Sequence, residues 1–157
     1  MIRFAGIALS VLALLSAISL HAAEPIRSEV LKGLMADNFK NVQIMLSQLI
    51  AADYKDLPPY AGAIREHALQ LTKTRPAGVS DDDVRLFNTY ANNLEISTGH
   101  LITIVGVLNK NDQTLTTPGQ QNVDYLRAVA AVQYGQIVTT CVACHNQFRR
   151  RQVALPK

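Results

Sequence analysis

From Glu24 onward, apolar residues recur at offsets of three and four, the spacing of one face of an α-helix, and four such runs follow one another along the chain. The first carries Leu31, Leu34, Met35, Asn38, Val42, Met45, Leu46 and Leu49 on one stripe and fades at Ala52-Asp53. A second, shorter run opens after Asp56-Leu57-Pro58-Pro59, whose prolines suit a first helical turn, and presents Tyr60, Ile64, Ala68 and Leu71. Arg75-Pro76-Ala77-Gly78 then breaks the pattern. Ser80 offers an N-cap, and Asp81, Asp82 and Asp83 fill a first turn in which the helix dipole favours anions. The third run, through Val84, Phe87, Ala91, Leu94, Thr98, Leu101, Val105 and Leu108, lasts about seven turns at 3.6 residues each.

After a polar linker from Asn109 to Thr116, Thr117-Pro118-Gly119-Gln120 reads as a capping box with proline at the first helical position. The fourth run presents Val123, Leu126, Ala130, Tyr134, Ile137, Cys141 and Cys144/His145. No alternating strand pattern and no internal repeat is visible. Four amphipathic helices on short connections predict an all-α fold, best satisfied by an antiparallel up-down-up-down four-helix bundle. The length of 157 residues suits one domain, expected over residues 24–157. Composition agrees: a chain 48% hydrophobic, without Trp and sparse in other aromatics, builds its core from Leu, Ile, Val and Ala, which leans towards helices.

The first 23 residues stand apart. Met1-Ile2-Arg3 gives a positive start, Ala5 to Leu20 is uncharged and mostly apolar, and Ala22-Ala23 precede Glu24, the layout of a secretory signal peptide. His21 departs from the small residue preferred there if the cut follows Ala23. The alternative is an uncleaved anchor, but the apolar run is shorter than the ~20 residues a span needs. The expectation is export to the periplasm, with no stable membrane insertion after cleavage. Removing the segment takes away Arg3 and lowers the formal charge from +3 to +2, so the basicity of the whole chain does not argue for nucleic-acid binding.

Both cysteines lie in Cys141-Val142-Ala143-Cys144-His145. In an oxidising compartment a disulfide is the usual use of cysteine, yet a bridge between residues three apart closes too small a loop to act as a staple. The pentapeptide is the c-type haem attachment pattern: two thiols add across the two haem vinyl groups and the adjacent imidazole ligates iron. A thioredoxin-like redox pair needs a βαβ context, which is not visible. Zinc normally needs four ligands, and beyond the motif this segment of the chain offers only His67 and His100. Chance occurrence remains the bland alternative.

A second protein ligand to iron would come from upstream, since no Met or His follows His145. Methionine is a frequent partner of His in cytochromes c, and past residue 23 the chain has Met35 and Met45. In an up-down-up-down bundle the end of the fourth helix lies level with the start of the first. Met45 is about 15 Å further along than Met35 at 1.5 Å per residue, so Met35 is the better placed and Met45 reads as core filling. A Met on an apolar stripe also simply packs, and that reading of Met35 stays open. His67 and His100 read as surface or bundle-wall histidines.

With these residues in hand, the chain resembles the class II c-type cytochromes, cytochrome c′ and low-spin relatives such as cytochrome c556, over its length after residue 23. Cys141, Cys144 and His145, followed by Phe148 and Arg149, match the family's C-terminal pattern, and Leu34-Met35-Ala36-Asp37-Asn38 is similar to the segment supplying the axial Met in c556-type members. The resemblance implies one haem c, with Phe148 packing on its edge and Arg149 near a propionate, a charge-assisted contact. For Arg149, Arg150 and Arg151 a solvated, cation-favouring helix end is the alternative. In five-coordinate cytochromes c′ an apolar side chain lines the iron pocket, which stays open to small gases, and an arginine commonly lies four residues before it. Here that position is Leu31, with Arg27 one turn earlier, a departure that weighs against gas binding.

The function expected is a periplasmic one-electron carrier with His145 and Met35 as axial ligands, serving redox partner proteins and transforming no substrate. The alternative is a five-coordinate protein binding nitric oxide or carbon monoxide. Peroxide reduction is a third reading, for which His67 and His100 are the histidine candidates as acid/base groups. Dimerisation is common in the family, which makes a homodimer a further implied partner, although the helix faces alone do not select it.

Overall fold

In the computed structural model, residues 24–26, 28–76, 78–111 and 117–152 are described, with side chains over 29–76, 78–110 and 122–148. The expected signal segment, residues 1–23, lies outside them. Four helices dominate: α1 (Ser28–Ile50), α2 (Leu57–Leu71), α3 (Asp81–Asn111) and α4 (Thr117–Gln152). Each starts where the local chemistry favours it. Prolines occupy the first turn of α2. Ser80 caps α3 reciprocally: its hydroxyl accepts from the Asp83 backbone N–H at 3.2 Å and donates to the Asp83 carboxylate at 2.9 Å. Replacing Ser80 by Ala removes that cap and is expected to cost about 1 kcal/mol, read as a lower urea midpoint at unchanged slope.

The contacts establish an antiparallel bundle. Asn38, midway along α1, meets His67, in the second half of α2. Leu71 at the end of α2 packs with Phe87 near the start of α3, and Phe87 meets Phe148 near the end of α4. Tyr134 of α4 donates its hydroxyl to the Val42 carbonyl of α1 at 3.1 Å. The adjacency is uneven. The α2–α3 and α3–α4 faces are extensive, α1 lies along α2, and α1 touches α4 little.

Two strands that the periodicity did not announce also form: β1 (Glu24–Ile26) runs parallel to β2 (Thr74–Pro76), with Glu24 opposite Thr74 and Ile26 opposite Pro76. They tie the entry of α1 to the α2–α3 connection.

Buried residues divide into two clusters along the bundle. The larger is built on Met45, Leu57, Ile64, Leu101, Val105 and Ile137. The smaller joins Leu71, Phe87 and Ala91, with Leu31, Leu34, Cys144 and Phe148 packed against them. Met45 is fully buried in the larger cluster, as expected of core filling. Met35 and Leu46, placed on the inner stripe by their spacing, are instead 37% and 44% exposed. At about 100° per residue they fall on the edge of the stripe rather than its centre, and the stripe turns Asn38 and Met45 inward. No helix among the described residues is long and apolar enough to cross a membrane.

Candidate haem attachment site

Cys141 and Cys144 are about 60° apart around α4 and so share one side of it. Cys141 packs against the larger cluster and Cys144 against the smaller, so the pair straddles the boundary between the two. Both are half-buried free thiols. Burial pushes the Cys144 thiol up to about 12, with the charge of Cys141 adding to it, and burial also raises Cys141. Tyr134, nearby, is raised too, by burial first and by Cys141 second. These thiols are therefore neutral at pH 7 and behave as small apolar groups. A redox Cys-x-x-Cys works in the opposite direction, with a lowered pKa at a helix N-terminus, whereas this pair sits deep in the C-terminal half of a 36-residue helix.

The smaller cluster draws side chains from all four helices: Leu31 and Leu34 from α1, Leu71 from α2, Phe87 and Ala91 from α3, and Cys144 and Phe148 from α4. The rings of Phe87 and Phe148 meet edge to face, with centroids 5.6 Å apart and planes at 85°. Phe148 thus packs against the same apolar cluster as Cys144. The side chain of Arg149 lies outside the described residues.

His145 follows Cys144 and is exposed. Its place on α4 is one step round from Cys141 and Tyr134, on the flank turned to α1, because Tyr134 bonds to Val42 across that seam. Met35 is 37% exposed. It lies seven residues before Val42, whose carbonyl meets Tyr134, while Cys141 lies seven after Tyr134, so Met35 and Cys141 stand at one level of the antiparallel pair. Leu31 and Leu34, not Met35, are the α1 residues packed against the cluster that Cys144 and Phe148 also join.

His67 is half-buried and bonded to Asn38, which fits a bundle-wall position, while His100 is exposed on α3. No group of three or more His, Cys, Asp or Glu among the described residues is gathered to hold a metal ion, so the zinc alternative finds no ligand set there.

The donor set fits a haem: two unpaired thiols on one helical side, an adjacent imidazole, and an apolar surface drawn from four helices beside them. Sequence reading had placed Leu31, Leu34, Leu71 and Phe87 on helical stripes without bringing them together at Cys144. Their shared level, early in α1 and α3 and late in α2 and α4, follows from antiparallel order and was the available signal. The chain matches no family model, no curated protein and no solved structure.

Proposed function

We propose that this chain is an exported monohaem c-type cytochrome that carries single electrons, with haem c linked through Cys141 and Cys144 and with His145 as an axial ligand. The observation that carries this reading is the placement of Cys141, Cys144 and His145 beside an apolar cluster of four helices, both thiols free and half-buried. The resemblance to class II c-type cytochromes supports it. When bound, the haem supplies a one-electron iron couple whose potential depends on the axial ligands and the polarity around it.

The chain's own residues supply the rest. Cys141 and Cys144 hold the group at two points, which fixes its orientation against α4. Leu31, Leu34, Phe87 and Phe148 exclude water from its surroundings, and a dry, apolar setting disfavours the more highly charged oxidation state. Met35, at the level of Cys141 along α1, would supply the iron's second protein ligand. With two propionates added to a formal +2 after signal removal, the holoprotein is close to neutral. Its partners are redox proteins of the periplasm, not nucleic acid.

One observation favours a second reading. Leu34, rather than Met35, enters the cluster with Cys144. An apolar residue there matches a five-coordinate site that binds nitric oxide or carbon monoxide.

The spectrum of the reduced protein with and without carbon monoxide separates the two. The carrier gives a low-spin spectrum indifferent to the gas. Met35→Ala is then expected to convert most of the protein to a high-spin form that binds carbon monoxide, with a lowered reduction potential. A wild-type protein that binds the gas fully assigns the site to gas binding and leaves Met35 without a ligand role.

A further inference from the structure

Helix α1 buries one side against the bundle and leaves a second apolar side uncovered. Phe39 is 64% exposed and Ile50 78%, and Met35 and Leu46 are exposed on the same helix. Counted from Met35 at about 100° per residue, Leu46, Phe39 and Ile50 lie about 20°, 40° and 60° round, so the four form one stripe. It runs beside the buried positions Asn38 and Met45 and reaches about 22 Å along the axis. On α3 only Ile96 and Val107 are comparably exposed, and on α4 Tyr125, Val132 and Val142. A continuous apolar strip left open to water marks an interaction surface. Spacing alone did not single it out, because it counted Met35 and Leu46 with the inner positions; burial separates them.

The order of residues within the strip says what covers it. Met35 and Phe39 stand as far before its midpoint, between Val42 and Gln43, as Ile50 and Leu46 stand after it. A contact between two copies related by a two-fold axis is self-complementary: where residue i of one meets j of the other, j also meets i. Two α1 helices laid antiparallel about that midpoint set Phe39 against the partner's Leu46 and Met35 against the partner's Ile50, each twice. Charge follows the same register. Lys32 stands three residues outside Met35 and Asp53 three outside Ile50, and both are exposed. The antiparallel pairing brings Lys32 towards the partner's Asp53 at both ends, whereas a parallel pairing would set like charges together.

We propose that this face of α1 is the interface of a homodimer, with the two helices antiparallel and the two-fold axis between Val42 and Gln43. The central pair, Phe39 against the partner's Leu46, does not involve Met35. The surface therefore stands apart from the haem reading and from the choice of an iron ligand.

Sedimentation equilibrium of the purified protein over a series of concentrations is expected to show a shift from the monomer to twice its mass. One helix from each copy lies at the small end of specific interfaces, so the dimer is reversible. At the dilution used for urea unfolding the monomer prevails, and Phe39 there behaves as a surface side chain. Phe39→Lys and Leu46→Lys each bring two like charges into the contact and are expected to weaken association at least about tenfold. Val132→Lys, on the exposed side of α4, leaves it unchanged. All three replace exposed side chains, and circular dichroism verifies that each variant folds. At low salt Lys32→Asp and Asp53→Lys each weaken association roughly fivefold, and the chain carrying both exchanges recovers it. A protein that stays monomeric at every concentration overturns the proposal, as does a dimer that Phe39→Lys leaves intact. A dimer in which the two charge reversals add instead of cancelling overturns the register. A monomer that binds neutral phospholipid vesicles, and loses them with Phe39→Lys, gives the strip to a lipid surface and overturns the proposal too.

Discussion

A chain carrying both Cys141→Ala and Cys144→Ala is expected to show no haem after denaturing electrophoresis, where the wild type retains its colour and haem-dependent peroxidase stain. A thioether bond survives denaturation, whereas iron coordination through His145 does not. Each single variant leaves one sulfur and is expected to retain a covalent adduct at reduced yield. Ala is the informative replacement. Both thiols are buried enough to be held neutral, with Cys144 pushed up to about 12, so their side chains already act as apolar groups. Ser would place a hydroxyl in that apolar setting, and an unpaired buried hydroxyl costs about 1–3 kcal/mol. With Ala, loss of haem can be separated from loss of fold by far-ultraviolet circular dichroism. If the double variant retains stain at the wild-type level, attachment through these sulfurs is wrong.

The largest expected loss of stability follows Phe87→Ala. Phe87 is 3% exposed and lies between Leu71 and Ala91, with its ring against Phe148. Truncating a buried phenylalanine typically costs about 3–5 kcal/mol, because the surroundings collapse only partly into the space left. Against a total of about 5–15 kcal/mol for a domain, that is a large share. Phe39→Ala is the control. Its side chain is 64% exposed, and surface substitutions usually stay within about 0.5 kcal/mol. Urea unfolding of the two variants should give a much lower midpoint for Phe87→Ala and a nearly unchanged one for Phe39→Ala. Equal midpoints would mean that the smaller cluster contributes nothing to folding.

The four helices were legible because amphipathic periodicity and caps are local signals. Ser80, the prolines at Pro58 and Pro59, and the Thr117-Pro118 start all lie within a few residues of the boundaries they mark. The Cys-x-x-Cys-His motif was legible for the same reason, since its five residues are contiguous. Elsewhere the sequence falls short in three ways. A stripe has edges, and spacing alone put Met35 and Leu46 on the same stripe as Asn38 without telling that those two stand on its edge. His67 was read as a wall residue, but its partner Asn38 is 29 residues away and nothing local links them. The strand pair Glu24–Ile26 with Thr74–Pro76 joins two three-residue segments, each holding a proline, too short for an alternating pattern to register. Each of these depends on how elements meet, which spacing within one element does not encode.

The uneven packing of the bundle sets the order in which it can come apart. A helix held along one neighbour detaches at lower free energy than one held along two, and such units open while the remainder stays folded. Helix α1 lies along α2 and barely meets α4, whereas α3 is clasped on both sides. Local unfolding therefore starts at α1 and leaves α2, α3 and α4 as a surviving three-helix unit. When α1 swings away it takes Leu31 and Leu34 with it, uncovering Cys144, Phe87 and Phe148 along one whole side. On the proposed reading, a large flat ring would reach Cys144 through that opening without melting the rest of the protein, and the return of α1 would close over it.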